Sequence, residues 1–136
     1  MNALEADSTQ RPNAQKILIV EDEHLVAMYL SDLLDDLGHE VLGMARSRVE
    51  AIEVATMEPP ALALVDIGLS GGDDGIAVAN ELADRFGTAI IILTGAGRSA
   101  AEDRMANTEP VAVLSKPCDH KELADAISRG LATRKR

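Results

Sequence analysis

The chain has 136 residues, of which 46% are hydrophobic, and a formal net charge of −10, as expected for one globular domain. The acidic charge balance argues against direct binding of nucleic acid, because phosphate contacts need a basic surface. The single cysteine, Cys118, excludes a disulfide framework and fits a reducing cytoplasm. Since no apolar run approaches the ~20 residues that a membrane-spanning helix needs, we expect a cytoplasmic protein without a membrane or direct nucleic-acid partner.

The predicted elements alternate between strands and helices along the chain. Apolar runs predict five strands, over 16–20, 40–45, 61–65, 89–93 and 111–114. Apolar residues spaced three and four apart, together with capping boxes that begin at Ser47, Ser99 and Asp119, predict five helices, over 25–37, 47–57, 78–86, 99–107 and 119–131. The fourth predicted helix holds few large apolar residues, so we expect it to rearrange at the lowest cost.

This alternation defines the expected architecture. Strands that are apolar on both faces indicate a parallel sheet covered by helices on both sides, which is a doubly wound α/β sandwich. We expect one domain over 16–132, a flexible N-terminal lead-in over 1–15 and a short basic tail over 133–136. The functional crevice of such a sheet lies beyond the carboxyl ends of its strands.

Polar residues follow the strands at that edge. Glu21 and Asp22 follow the first strand, Asp66 the third, Thr94 the fourth and Lys116 the fifth. Converging carboxylates repel one another unless a cation lies between them, and a few hard oxygen ligands suit Mg²⁺. A nucleophilic carboxylate, a metal, a lysine and a hydroxyl group predict a phosphoryl-transfer site.

Simpler interpretations exist for each residue alone. Asp66 could cap a helix or form a turn, and Lys116 could be an ordinary surface lysine. Glu21 and Glu23 could be solvated charges, and we interpret Glu23 in this way because acidic residues favour the first turn of a helix. The three histidines are scattered, and we interpret none of them as a metal ligand or a phosphorelay residue.

Four motifs in order make the chain resemble the receiver domain of two-component response regulators, over about 16–131. They are "ILIVEDE", "LALVDI", "IILTG" and "LSKP". The resemblance implies a flavodoxin-like doubly wound five-stranded parallel sheet with five helices and the strand order 2-1-3-4-5. It also implies a stand-alone regulator that takes a phosphoryl group from a sensor histidine kinase or phosphotransfer protein. Such a regulator acts on a downstream protein partner or drains phosphoryl groups, and it is not a conventional enzyme.

The resemblance also assigns roles at the strand ends. Asp66 would be the phosphoacceptor, and Thr94 and Lys116 would bind phosphoryl oxygens. The Lys116–Pro117 bond would be cis. The implied Mg²⁺ ligands are Asp22, Asp66, the backbone carbonyl of Gly68 and, through water, Glu21.

The sequence departs from the family pattern at two places. The loop after Asp66 carries Leu69-Ser70 where Met-Pro is usual. Val113 occupies a position in the fifth strand that usually holds Tyr or Phe, so the usual aromatic switch is in doubt. We expect the helix over 99–107 to carry the response instead.

Two other functions are alternatives. A dehalogenase-type phosphatase, which also forms an aspartyl phosphate, needs a second Asp two residues after the nucleophile, where this chain has Gly68. A flavodoxin-like cofactor-binding domain needs a glycine- and hydroxyl-rich loop after the first strand. This chain has "EDEH" there, which would repel a phosphate group.

Overall fold

The computed structural model describes residues 14–69, 71–95 and 109–134. Five β-strands lie in this part of the chain: β1 Lys16–Val20, β2 Glu40–Ala45, β3 Leu62–Asp66, β4 Ala89–Thr94 and β5 Ala112–Ser115. Four α-helices lie in it as well: α1 His24–Asp36, α2 Arg48–Met57, α3 Gly75–Phe86 and α4 His120–Arg134. The predicted helix over 99–107 lies outside the described residues and stays a prediction, as do the predicted domain limits.

The strands form one parallel sheet in the order β2-β1-β3-β4-β5. The predicted fold class and strand order are therefore confirmed. In the centre of the sheet, Leu62 of β3 lies between Ile17 of β1 and Ala89 of β4. All five residues of β3 are buried, which agrees with the uninterrupted apolar run in the sequence.

Alternation along each strand divides the core into two layers. Ile17 and Ile19 of β1 pack beneath α1 and α4, whereas Leu18 and Val20 pack beneath α2 and α3, because successive strand side chains point to opposite faces. Burial on both faces explains why β1, β3 and β4 are almost wholly apolar. None of the helices in the described part of the chain is long and apolar enough to cross a lipid bilayer.

The helix ends follow local sequence chemistry. Gly38 adopts a positive φ of 89° after α1, and the His39 N–H donates to the carbonyl oxygen of Leu34 at 3.0 Å, as in a Schellman motif. The capping box predicted at α4 is present, because the Asp119 side chain accepts the Glu122 N–H at 2.9 Å and the Glu122 side chain accepts the Asp119 N–H at 3.3 Å. These ends fix where the chain turns back toward the sheet.

Candidate functional site

The strand ends that the sequence singled out meet at one edge of the sheet. Asp66 is the last residue of β3 and pairs with Leu93, while Thr94 ends β4 and pairs with Ser115. The backbone N–H of Lys116 donates to the carbonyl oxygen of Thr94 at 2.9 Å. A cavity of about 330 Å³ opens at this edge, and we call it the acceptor cavity. Its lining comprises Glu23, Asp66, Ile67, Gly68, Thr94, Gly95 and Lys116.

Asp66 lies at the floor of this cavity, with only 4% of its surface exposed. Its Oδ1 accepts the backbone N–H of Gly68 at 3.0 Å, and its Oδ2 accepts from Lys116 Nζ at 3.2 Å. A buried carboxylate without partners would be costly, and here each oxygen of the Asp66 carboxylate has a hydrogen-bond partner. The side chain of Asp66 does not cap a helix, because the N-cap of α3 is Asp74.

Glu21 is the most deeply buried charged group of the site, with a side-chain exposure of 0%. Its Oε1 accepts from Lys116 Nζ at 2.9 Å and its Oε2 accepts the Glu23 backbone N–H at 3.2 Å. Burial raises the pKa of Glu21, and the negative charge of Asp66 adds to this, although both hydrogen bonds act in the opposite direction. The interpretation of Glu21 as a solvated charge is therefore wrong.

Lys116 joins the buried carboxylates through one ammonium group. Its Nζ contacts Glu21 and Asp66, and it lies 3.8 Å from Oε1 of Glu23. Burial disfavours the charged form, but the hydrogen bond to Glu21 and the negative charge of Asp66 outweigh this effect and raise the pKa of Lys116. Lys116 is therefore a fixed cation of the site and not a surface lysine.

The carboxylates also fit a metal ion. Glu21, Asp22 and Asp66 each offer a ligand oxygen, and these atoms all lie within 4.8 Å of one another. Oxygen donors in such a small number suit Mg²⁺, which retains several waters when it binds to proteins. The backbone of Gly68 lies beside Asp66 in the lining of the same cavity.

A close backbone contact holds the carboxyl end of β3 in place. A Cβ atom added to Gly75, the first residue of α3, would lie 2.6 Å from the Cα atom of Ile67 and would also collide with the carbonyl oxygen of Asp66. Only glycine permits this approach. The Asp74 side chain caps α3 by accepting the Ile76 N–H at 3.0 Å. The sequence "DDG" thus fixes the start of α3 against the backbone of the candidate acceptor.

Two features of this edge were not predicted. Glu23 precedes α1 as its N-cap and lines the acceptor cavity. A second cavity of about 370 Å³ lies next to it, shares Glu23 and Lys116 and is lined mainly by apolar groups, including Tyr29, Pro117 and Cys118. The run of three acidic residues after β1 could have indicated that Glu23 lies at the site. No local pattern in the sequence indicates the apolar cavity.

Strand β5 and the residues after it show two features that the sequence raised. The Lys116–Pro117 peptide bond is cis, as the resemblance implied. Val113 is buried in the core layer beneath α2 and α3, so this strand position presents a branched aliphatic group in place of a ring.

Comparison with known proteins agrees with this geometry. The family profile of the response regulator receiver domain matches residues 17–128. The phyllosphere-induced regulator PhyR of Methylorubrum extorquens is 38% identical over 120 residues, which cover 87% of this chain and 44% of that protein. The chain spans about half the length of the first curated relatives that it matches.

Solved structures lead to the same family. The signal receiver domain of a modulated diguanylate cyclase from Desulfovibrio desulfuricans superposes with a TM-score of 0.83 at 34% identity, covering 90% of this chain and 97% of that one. The anti-anti-sigma factor PhyR from Bartonella quintana superposes with a TM-score of 0.77 at 29% identity, covering 98% of this chain and 53% of that one. With its fold, its strand-end residues and these relatives, the chain belongs to the receiver-domain family of the response regulators of two-component systems.

Proposed function

We propose that this receiver accepts a phosphoryl group on Asp66 in a reaction that depends on Mg²⁺. The metal ligands would be Asp22, Asp66 and the Gly68 carbonyl group, with Glu21 acting through a water molecule. Thr94 and Lys116 would bind the phosphoryl oxygens. The observation that carries the proposal is the buried Asp66 carboxylate, which contacts Lys116 and belongs to an acidic cluster suited to a divalent cation.

In phosphoryl transfer, the protein mainly positions the reacting groups and neutralises their charge. An oxygen of Asp66 would attack phosphorus while the leaving group departs on the opposite side. Lys116 would neutralise negative charge on the phosphoryl oxygens as a point charge, and the Thr94 hydroxyl would donate a hydrogen bond to one of them. Mg²⁺, when bound, supplies further neutralisation of the phosphoryl oxygens.

The partners follow from the same proposal. The donor would be a sensor histidine kinase or a phosphotransfer protein. The output would be the binding of a downstream protein or the removal of phosphoryl groups from a shared kinase. Since a Bartonella quintana relative is described as an anti-anti-sigma factor, an anti-sigma factor is the first class of downstream partner to test.

The geometry favours this proposal over the two alternatives. A dehalogenase-type phosphatase would need an acidic side chain at Gly68, which instead provides a backbone N–H to Asp66. A flavodoxin-like cofactor site would need phosphate-binding groups after β1, where Glu21 and Glu23 carry negative charge.

The central experiment measures intact mass after incubation with Mg²⁺ and a small phosphodonor. We expect the parent protein to gain one phosphoryl group, and we expect Asp66→Asn and Asp66→Ala to gain none. Asp73→Asn, which changes an acidic residue in the loop that follows β3, is the matched control and should react like the parent. Undiminished phosphorylation of both Asp66 variants would overturn the proposal.

A further inference from the structure

Glu23 has an unusual position for an N-cap residue. Its backbone is extended, with φ −86° and ψ 108°, but its side chain makes no capping hydrogen bond to α1. The carboxylate lies instead 3.8 Å from Lys116 Nζ, and 67% of the side chain is exposed. The backbone is held by the bond from its N–H to Glu21 and by the Ala27 N–H, which donates to the Glu23 carbonyl oxygen at 3.0 Å. The backbone of Glu23 is therefore held in place, and its carboxylate lies at the rim of the site near Lys116.

The Asp66 carboxylate lies at the floor of the acceptor cavity, and Glu23 lies at its rim. Asp66 is 4% exposed, whereas Glu23 is largely exposed, and both line the same cavity. In-line transfer places the leaving group opposite the attacking oxygen, and therefore toward the rim. The leaving group would also lie near the neighbouring apolar cavity, because Glu23 lines both cavities.

The sum of the charges at the site shows that Glu23 sets the net charge at the rim of the acceptor cavity. With one divalent cation bound, the charges of Glu21, Asp22, Asp66 and Lys116 cancel. The carboxylate of Glu23 then remains as the net charge beside the leaving group. A negative charge at this point attracts a donor that is cationic before transfer and repels a leaving group that departs as an anion.

We propose that Glu23 is a specificity-determining residue that favours protonated N-phosphorylated imidazoles over acyl phosphates as phosphodonors. This inference rests on the proposed function. With the imidazole donor, an Asp66 oxygen–phosphorus bond forms, the phosphorus–nitrogen bond breaks, and its electron pair remains on the ring nitrogen. The donor's positive charge is thereby lost and neutral imidazole departs, whereas an acyl phosphate releases a carboxylate anion toward Glu23.

The test compares two donors, phosphoimidazole and acetyl phosphate, on the parent protein and on Glu23→Gln. The second-order rate constant of Asp66 phosphorylation is followed by intact mass at saturating Mg²⁺. We expect acetyl phosphate to react faster with Glu23→Gln, and we expect the ratio of the phosphoimidazole constant to the acetyl phosphate constant to fall by roughly threefold, as for one unit charge through solvent. The change should diminish in ~1 M salt, where the Debye length is about 3 Å.

Glu53→Gln is the matched control, because Glu53 is an exposed glutamate on α2 and its replacement removes the same charge elsewhere. A ratio that changes by less than twofold in Glu23→Gln overturns the proposal. So does an equal change in Glu53→Gln, which would assign the effect to net charge alone. If neither donor labels the parent protein, the proposed function fails, and the inference about Glu23 fails with it.

Discussion

At the scale of single residues, one ammonium group organises the candidate site. Lys116 contacts Glu21 and Asp66, whose side chains are 0% and 5% exposed. Two buried carboxylates so close together would repel each other without a cation between them. The lysine therefore stabilises the acidic cluster before any metal binds, and its removal should affect stability as well as phosphoryl chemistry.

We predict that Lys116→Met destabilises the metal-free protein by about 2 kcal/mol. Removing one partner of a fully buried ion pair costs about 3–5 kcal/mol, and the partial exposure of Lys116 reduces this cost. Urea unfolding in the presence of a chelator measures the free energy of unfolding. Adding Glu21→Gln to Lys116→Met should recover part of the loss, because it removes the unpaired buried charge.

Lys121→Met provides the control, since the Lys121 side chain is 84% exposed. It should leave the free energy of unfolding nearly unchanged. Equal stabilities of Lys116→Met and Lys121→Met would mean that the buried carboxylates do not depend on Lys116.

At the scale of elements, helix starts and strand ends set the position of the site. The start of α3 contacts the backbone of the residues that end β3, through Gly75. The start of β2 is joined to the segment before β1, because the Gln15 N–H donates to His39 Nδ1 at 3.0 Å and Glu40 donates to the Gln15 carbonyl oxygen. These contacts hold sequence-distant elements in register.

We predict that Gly75→Ala destabilises the protein by about 1–3 kcal/mol, as overpacking typically does, and slows phosphorylation of Asp66. In an unobstructed helix the same change would be stabilising by up to about 1 kcal/mol. A decrease in the free energy of unfolding would therefore indicate the close contact between Gly75 and the backbone at the end of β3. Thermal or urea unfolding and the intact-mass assay measure the two effects. Gly71→Ala is the control, because nothing lies within 4 Å of a Cβ atom at Gly71; a stabilised Gly75→Ala protein would contradict the prediction.

We predict that the hydrogen bond to His39 makes stability depend on pH. Burial lowers the pKa of His39 from its usual 6.5, so the unfolded chain binds a proton at a higher pH than the folded protein does. This contribution to stability is present above pH 6.5 and is lost as the pH falls through the lowered value. His39→Asn, which retains an acceptor, should lose less stability than the parent between pH 7.5 and 5.

Unfolding by urea across this pH range measures the effect. His24→Asn, a change at the exposed first residue of α1, should retain the parent's pH dependence. If His39→Asn also retained it, another group would be responsible.

At the scale of the whole molecule, the parallel sheet brings four strand ends to one edge and thereby couples metal binding to folding. The carboxylate oxygens of Asp22 and Asp66 belong to segments about 40 residues apart in the sequence and meet only in the folded chain. A ligand that binds the folded protein alone raises the free energy of unfolding.

We predict that Mg²⁺ at about 100 times its dissociation constant raises the free energy of unfolding by about 2.7 kcal/mol. The increase should be strongly reduced in Asp22→Ala and in Asp66→Ala. In the metal-free state, the free energy of unfolding of these variants should fall by no more than the loss of their hydrogen bonds would cause. The reason is that removing one carboxylate also reduces the repulsion among the clustered acidic groups. Urea unfolding at graded Mg²⁺ concentrations measures the gain.

Asp32→Ala, which removes an exposed carboxylate from α1, should respond to Mg²⁺ as the parent does. An Asp22→Ala protein that gained as much stability as the parent would show that the residue after β1 is not a ligand.

The sequence alone determined the fold class and the location of the candidate site. Apolar runs such as 61–65 and helical spacing such as that before Gly38 are local signals, and they led to a doubly wound sheet whose polar residues share one edge. The strand order came from resemblance to a family, because it depends on pairing between distant segments. The placement of Asp66, Thr94 and Lys116 at one edge followed from the geometry of parallel strands alone.

Only the tertiary structure decided which of these groups are in contact. Periodicity indicates which face a residue occupies, but it contains no distance between residues 95 positions apart, such as Glu21 and Lys116. The burial of Glu21, the orientation of the Glu23 carboxylate and the approach of Gly75 to the backbone at Asp66 all depend on how separate elements pack. Charge and burial at a site are properties of that packing, and for this reason the same three acidic residues after β1 have three different environments.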